Sequence, residues 1–287
     1  MSFWERFYNI RAVHAAELTV GTLNEPLQEL FEELFPEIIK NASYFFLNTE
    51  PLIDFPRLVT RKMIDIGGIA LPTKWQPIQE PLSSEMSLRP HTVLISFGTF
   101  MLSHLMPEQF KQTIRSLALA LPNVTFLWKY ENPEHNVAAG IPNLITHTWL
   151  PQTDLLRDPH LSAFITHGGA GSSYETVLAG IPSLVIPVMA DQMRNGEMIR
   201  RIGTGKVLKR DDLADSAKLI QAVRDVLENE KYRERARTVA KMVESQPQSV
   251  RERLVSHMEF MARYGPLDQL RHAGRDMSTV KFYNIDV

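Results

Sequence analysis

The segment His167-Gly-Gly-Ala-Gly-Ser-Ser173 concentrates groups that can do chemistry. It follows an apolar run at 161–166 and opens a helical pattern at 172–179. Glycines there let a ligand approach the backbone closely. The start of the helix offers free N–H groups and the positive end of its dipole to a phosphate. The plainer alternative is a tight turn, with His167 an ordinary strand-end histidine. Trp149 can stack a flat base or belong to the core. Glu175 lies one helical turn after Gly171. It can accept from two vicinal hydroxyls, as acidic residues do for ribose, or be a solvated helix carboxylate. Asp191 and Gln192 open another helix, and Asp191 has a simple explanation as its cap. All of these residues stand where apolar runs end, which is where an α/β sheet places its ligands.

Several other chemistries are excluded by spacing. The dinucleotide fingerprint fails because Tyr174 stands where a third glycine is needed. Gly203-Thr-Gly-Lys206 has the wrong glycine spacing for a P-loop, and Val207 follows the lysine. No Gly-x-Ser-x-Gly elbow occurs. No Asp-x-Asp pair occurs either, so no metal-clamped diphosphate, and no metal or other cofactor, is expected. The formal net charge of −2 over 287 residues argues against a nucleic-acid partner held by bulk charge. Hydrophobic residues make up 44% and charged residues 22%, a globular composition. Without cysteines there are no disulfides or thiolate metal sites.

The elements that must position these residues follow from periodicity. Strands are expected over 44–48, 63–68, 93–97, 124–129, 144–148, 161–166 and 183–187. A helix carries Phe110, Ile114, Leu117, Ala118 and Leu121 on one face, and others cover 172–179 and 191–201. Strands alternating with such helices imply a parallel sheet covered on both faces. Beyond Gly203 the pattern is helical, with stripes at Leu219, Val223 and Val226 and at Tyr232, Ala236 and Val239. Arg233, Arg235, Arg237 and Lys241 read as a solvated face. Residues 1–40 read as two amphipathic helices, with Phe3, Phe7 and Ile10 on one and Leu27, Phe31 and Leu34 on the other. Their aromatics imply an apolar face that needs a partner. Pro72, Pro77, Pro81 and Pro90 disfavour helix over 70–91. That stretch reads as an interdomain linker between residues 1–69 and a domain over 92–287.

The order Trp149, Gln152, His167-Gly-Gly, Glu175, Asp191-Gln192 resembles the signature of the UDP-glycosyltransferases, a family of GT-B glucosyl- and glucuronosyltransferases. The likeness runs through Trp149-Leu-Pro-Gln152, Phe164-Ile-Thr-His-Gly-Gly169, Gly180-Ile-Pro182 and Ala190-Asp-Gln192. Asn48-Thr-Glu-Pro51, Asp54-Phe-Pro56 and Ile66-Gly-Gly68 look like the end of that family's N-terminal domain. Ser96-Phe-Gly-Thr99 looks like the first strand and loop of its C-terminal domain. The resemblance implies an α/β fold of GT-B type. Residues 1–69 would be the remnant of an acceptor domain, and residues 92–287 a Rossmann-like donor domain with a helical C-terminal tail. Trp149 would stack on uracil and Gln152 would hold the uridine. Glu175 would take the ribose hydroxyls. Thr99, His167, Gly169, Gly171 and Ser172 would hold the diphosphate, and Asp191 and Gln192 the sugar hydroxyls. Two departures stand out: Gly171 replaces the family's frequent Asn, and Met193-Arg194 replaces a common Pro-Asp pair.

The implied partners are UDP-glucose or UDP-glucuronate as co-substrate and a small lipophilic acceptor. Homo- or hetero-oligomers with full-length family members are a further implication. The implied reaction is transfer to an acceptor hydroxyl with inversion. The family's catalytic histidine, with its orienting aspartate, lies near the start of the N-terminal domain and is expected ahead of this chain. His14, His91 and His104 lack the surrounding motif. The alternative is therefore a truncated, inactive isoform that binds UDP-sugar or regulates full-length enzymes. The first six residues mix acidic and basic groups, unlike a signal peptide, and no run approaches the roughly 18 apolar residues of a membrane span. As written the chain is expected in the cytoplasm, whereas full-length relatives are expected at the endoplasmic reticulum membrane, on the lumenal side.

Overall fold

The computed structural model describes residues 41–72 and 74–271, together with 274, 277, 278 and 281. The two amphipathic patterns expected over 1–40 lie outside the described residues. Among those described, one compact unit comprises 41–46, 59–64 and the residues from 256 onward, and the other comprises 47–58 and 65–255. Strands β1 (Phe45–Leu47) and β2 (Met63–Asp65) form a two-stranded sheet.

The larger unit is built on six parallel strands: β3 (His91–Ser96), β4 (Val124–Lys129), β5 (Leu144–His147), β6 (Leu161–Thr166), β7 (Ser183–Val185) and β8 (Gly205–Val207). Their order is β5-β4-β3-β6-β7-β8. Successive strands thus run outward from β3 in one direction and from β6 in the other. The helices are α1 (Leu82–Met86), α2 (Glu108–Ala120), α3 (Gln152–Leu155), α4 (Ala170–Ala179), α5 (Gln192–Ile202), α6 (Ser216–Glu228), α7 (Glu230–Glu244) and α8 (Val250–Tyr264). This is the α/β class expected, with a parallel sheet flanked by helices.

Side chains alternate between two cores, as the period of a strand requires. Val93, Ile95, Phe126, Trp128, Ala163, Ile165 and Leu184 face one side, packed with Ile114 and Leu117 of α2 and Leu219 and Val223 of α6. Leu94, Leu127 and Phe164 face the other, with Met86 of α1 and Leu155 of α3. Both faces are covered, which is why the central strands read as continuous apolar runs.

The structure departs from the sequence expectation in two places. Leu82–Met86 is helical inside the proline-rich stretch. Pro81 stands at its N-cap, where a missing N–H costs no intrahelical bond. The region after Gly203, expected to be helical at once, first adds β8, a three-residue edge strand. Gly205 lies so close to β7 that a Cβ there would sit 2.1 Å from the Ser183 carbonyl oxygen.

Residues 47–58 pack as an integral part of the larger unit. Ile53 is 0% exposed and shares a core with Tyr174 and Val177 of α4 and Met198 and Ile199 of α5. Arg194 pairs with the buried Asp54 carboxylate. Arg201 donates to the Ile53 carbonyl at 2.9 Å and also to the Asp54 carbonyl. Both guanidinium groups lie over the Phe55 ring, at 5.5 and 5.3 Å. The Tyr174 hydroxyl donates to the Asn48 carbonyl at 3.1 Å. Burial, then the nearby Asp54 carboxylate, pushes its pKa up to about 12. An Ile53→Ala variant is expected to destabilise the larger unit by about 2–5 kcal/mol. Urea unfolding measures this, and an unchanged midpoint would show that this segment does not belong to the cooperative core.

Candidate functional site

The divergence of strand order between β3 and β6 opens a crevice outside their carboxyl ends, the usual ligand position in an open parallel sheet. Ser96 and Thr166 are register partners at that edge. The loop after β3 brings Gly98 and Thr99 to the crevice, and the turn after β6 brings His167, Gly168 and Gly169. Helix α4 begins at Ala170, with its free N–H groups at the same level.

The imidazole of His167 is wedged between the two loops. A Cβ on Gly98 would lie 2.7 Å from its Cε1, and one on Gly169 would lie 2.6 Å from its Nε2. Gly98 has φ +84°, so it is required both by backbone conformation and by contact with the ring. Nδ1 of His167 is buried without a hydrogen-bond partner among the described residues. Burial holds the imidazole below its ordinary pKa, and the Asp191 carboxylate opposes this only partly. A neutral ring of this kind offers one donor and one acceptor.

Beside the wedge lies a cleft of about 340 Å³. Six of the residues expected from sequence line it: Thr99, Trp149, Gln152, Gly171, Ser172 and Glu175. Trp149 is 67% exposed, an open aromatic face and not a core residue. Glu175 is not a freely solvated carboxylate. It accepts from Thr153 Oγ1 at 2.9 Å and from Gln152 Nε2, and Gln152 also donates to Ser172 Oγ at 3.1 Å. These bonds tie α3 to α4 across the cleft. Gly171 faces open space, with no atom within 4 Å of where its Cβ would be.

His167, Gly169, Asp191 and Gln192 adjoin this cleft without lining it. Asp191 precedes α5 but makes no side-chain cap bond, because its backbone is already helical at φ −67°, ψ −14°. Its Oδ2 instead accepts from Asn195 Nδ2 at 2.8 Å, which also donates to the Gly168 carbonyl at 2.9 Å. The α5 terminus is thereby fastened to the His167 turn. Gln192 is buried, and its Oε1 accepts from the N–H groups of Val188 and Met189 at 2.8 and 3.0 Å. Its Nε2 remains as a donor.

Lys129 was not anticipated. It ends β4, lines the cleft and is largely buried. Its ammonium donates to the Gly98 carbonyl at 3.0 Å and Glu131 Oε1 at 2.9 Å, and lies 5.8 Å from the Trp149 ring centroid. Burial raises the Glu131 carboxyl, but Lys129 and two backbone N–H groups outweigh it and leave it below the usual carboxylate range. A charge closing an apolar strand at its carboxyl end was the available signal.

Comparison with known proteins identifies the family and the fold. A family model described as UDP-glucoronosyl and UDP-glucosyl transferase matches residues 1–287. The Caenorhabditis elegans protein ugt-48 is 28% identical over 296 residues, covering 99% of this chain and 56% of that protein. Human UDP-glucuronosyltransferase 1A3 is 26% identical over 293 residues, covering 100% and 54%. The chain thus spans about half the length of the curated relatives it matches. The solved structure of the glycotransferase of kitacinnamycin shares the fold at a TM-score of 0.60 and 20% identity, covering 76% of this chain and 55% of that one.

Two outcomes test the wedge. Gly98→Ala is expected to cost about 1–3 kcal/mol from positive φ alone, with further loss as the imidazole is displaced, read by thermal unfolding. The second outcome concerns pH. The depressed His167 pKa means that the unfolded chain binds more protons as pH falls through about 6.5, so stability drops below that pH until the folded value is reached. His167→Gln should flatten this limb of the stability–pH curve. An unchanged curve would mean that the ring is not buried in its neutral form.

Proposed function

Because the chain belongs to the family of UDP-glucoronosyl and UDP-glucosyl transferases, we propose that its cleft is the donor site for a UDP-sugar. The observation that carries this is the convergence on one cleft of an exposed tryptophan, a hydrogen-bonded glutamate and the start of α4. In this reading Trp149 stacks on uracil and Gln152 holds the uridine. Glu175 accepts from the ribose hydroxyls, exchanging one of its present donors for the ligand. Thr99, His167, Gly169, Gly171 and Ser172 receive the diphosphate, whose charge suits the α4 N-terminus. Asp191 Oδ1 and Gln192 Nε2 take the sugar hydroxyls. Residues 92–287 serve as the donor domain with its C-terminal helices, and residues 1–69 are a remnant of the acceptor domain, of which 47–58 pack against α4 and α5.

The reaction we propose is transfer of a hexosyl or glucuronosyl group to the hydroxyl of a small lipophilic acceptor, with inversion. The acceptor oxygen attacks the anomeric carbon as the bond to the diphosphate breaks, and the hydroxyl proton must pass to a base. We assign no base among the described residues. Three histidine–carboxylate pairs occur among the described residues: His104–Glu131, His147–Glu85 and His160–Asp158. None of these six residues lines the cleft. His167 is committed to the loops that hold the diphosphate. A general base contributes about 10²–10⁴-fold, so without one the donor would be bound and transferred slowly. The same observation favours a second reading, a chain that binds UDP-sugar or pairs with full-length family members without turnover.

Calorimetric titration with UDP is expected to show binding that Trp149→Ala weakens by about 1–3 kcal/mol, the worth of a base–aromatic stack. Absence of binding, or an unaffected variant, would reject the donor site. A radiolabelled UDP-sugar with a phenol acceptor then tests the base, since rapid turnover by these residues alone would show that the base lies within them.

A further inference from the structure

At the opposite, amino-terminal end of the sheet a second cleft of about 170 Å³ opens beside the starts of β6 and β7. Arg157, Arg233 and Arg237 line it, with Ser162 and Gly180. Arg233 and Arg237 are four residues apart on α7 and so share one face. Arg157 follows α3, and its guanidinium lies 4.1 Å from the Trp75 ring centroid. Stacking of this kind fixes the guanidinium plane while leaving its N–H edge available. Trp75 is held in turn, because the next residue, Gln76, donates its N–H to Asp154 Oδ1 at 2.9 Å.

None of the three guanidinium groups makes a hydrogen bond or ion pair with a carboxylate among the described residues. Asp158 lines the same cleft, but its Oδ1 is taken by the His160 ring and N–H, at 2.8 and 2.9 Å. Partial burial holds the Arg157 guanidinium below its ordinary pKa, and Glu244 opposes this from a distance.

A simpler role would be to complement the negative C-terminal end of α4, which carries about half a charge. Two of its last carbonyls are already bonded: the Gly180 N–H donates to the Val177 carbonyl at 3.1 Å and the Ile181 N–H to the Thr176 carbonyl at 3.2 Å. No arginine donor reaches these carbonyls among the described residues. Three cations also exceed what half a charge needs.

We propose that this cleft is a second anion site that binds a phosphomonoester dianion, separate from the donor cleft. Planar guanidinium forks match phosphate oxygens in pairs. With half the volume of the donor cleft, it takes a phosphoryl group and its first substituent, not a nucleotide. The phosphoryl group can be carried by a soluble metabolite or by a lipid headgroup.

The test titrates the full chain, with UDP present in excess, with inorganic phosphate and with glycerol 3-phosphate by calorimetry. A parallel arm measures flotation with phosphatidylcholine vesicles with and without phosphatidic acid. Binding is expected that falls about tenfold for each guanidinium removed in Arg233→Gln/Arg237→Gln, and that weakens with added salt. UDP affinity and circular dichroism should stay unchanged in that variant. Arg157→Lys keeps the charge but loses the stacked fork, and should also weaken binding if the double variant does not fold. Binding of the soluble phosphates assigns a metabolite, and binding of phosphatidic acid vesicles alone assigns a headgroup. No binding in either arm, or equal binding by the variants, overturns the proposal. Because the arginine variants leave the donor cleft intact, they report on this site whether or not UDP binds.

Discussion

The seating of the His167 imidazole on the backbones of Gly98 and Gly169 fixes the spacing of the two loops that define the crevice. β3 and β6 are paired up to Ser96 and Thr166, and beyond that level side chains hold the loops, with Lys129 and Asn195 bonding the Gly98 and Gly168 carbonyls. The ring fills the gap, and a Cβ on either glycine would expel it. These glycines are therefore required first by a protein side chain and only then by any phosphate. Asn195 extends the frame by joining the Gly168 carbonyl to Asp191, so the ends of β3, β6 and β7 are held as one piece.

A parallel sheet has polarity, and the two clefts express it differently. Helices that follow the strands start at the carboxyl end, so their N–H groups and positive dipole ends gather there. An anion at that rim needs few charged side chains, and the donor cleft supplies one buried lysine, Lys129, itself partly committed to Glu131. At the amino end the dipoles oppose an anion. A site there must rely on side-chain charge, and there the chain places Arg157, Arg233 and Arg237.

Elements buried on both faces were legible in the sequence. Val124–Lys129 and Leu161–Thr166 are unbroken runs long enough to identify themselves as strands. β8 was not, because a three-residue edge strand containing Gly205 and Lys206 carries no apolar period. Most positions expected to bind donor follow strand ends, where the apolar runs stop, whereas Glu175 lies inside α4. Their hydrogen bonds did not follow. The Gln152–Glu175 bond depends on a four-residue helix, α3, that no periodicity can show. Asp191 has the residue type of a helix cap but the wrong backbone, since a cap needs an extended conformation and Asp191 is helical. The Trp75–Arg157 stack joins residues far apart in sequence through a proline-rich stretch and leaves no local signature.

Helix α5 ties the crevice to residues 47–58. Its start carries Gln192 and Asn195, which brace the loops of the site, while Arg194 and Arg201 grip Asp54, Ile53 and Phe55. The Asp54 side chain is only 4% exposed, so pulling Arg194 away would leave a buried carboxylate without its cation. Arg194 is itself 46% exposed, so solvent screens the pair and the cost stays below the about 3–5 kcal/mol of a fully buried one. Residues 47–58 and the start of α5 that carries Asp191 and Gln192 are thus parts of one packed body.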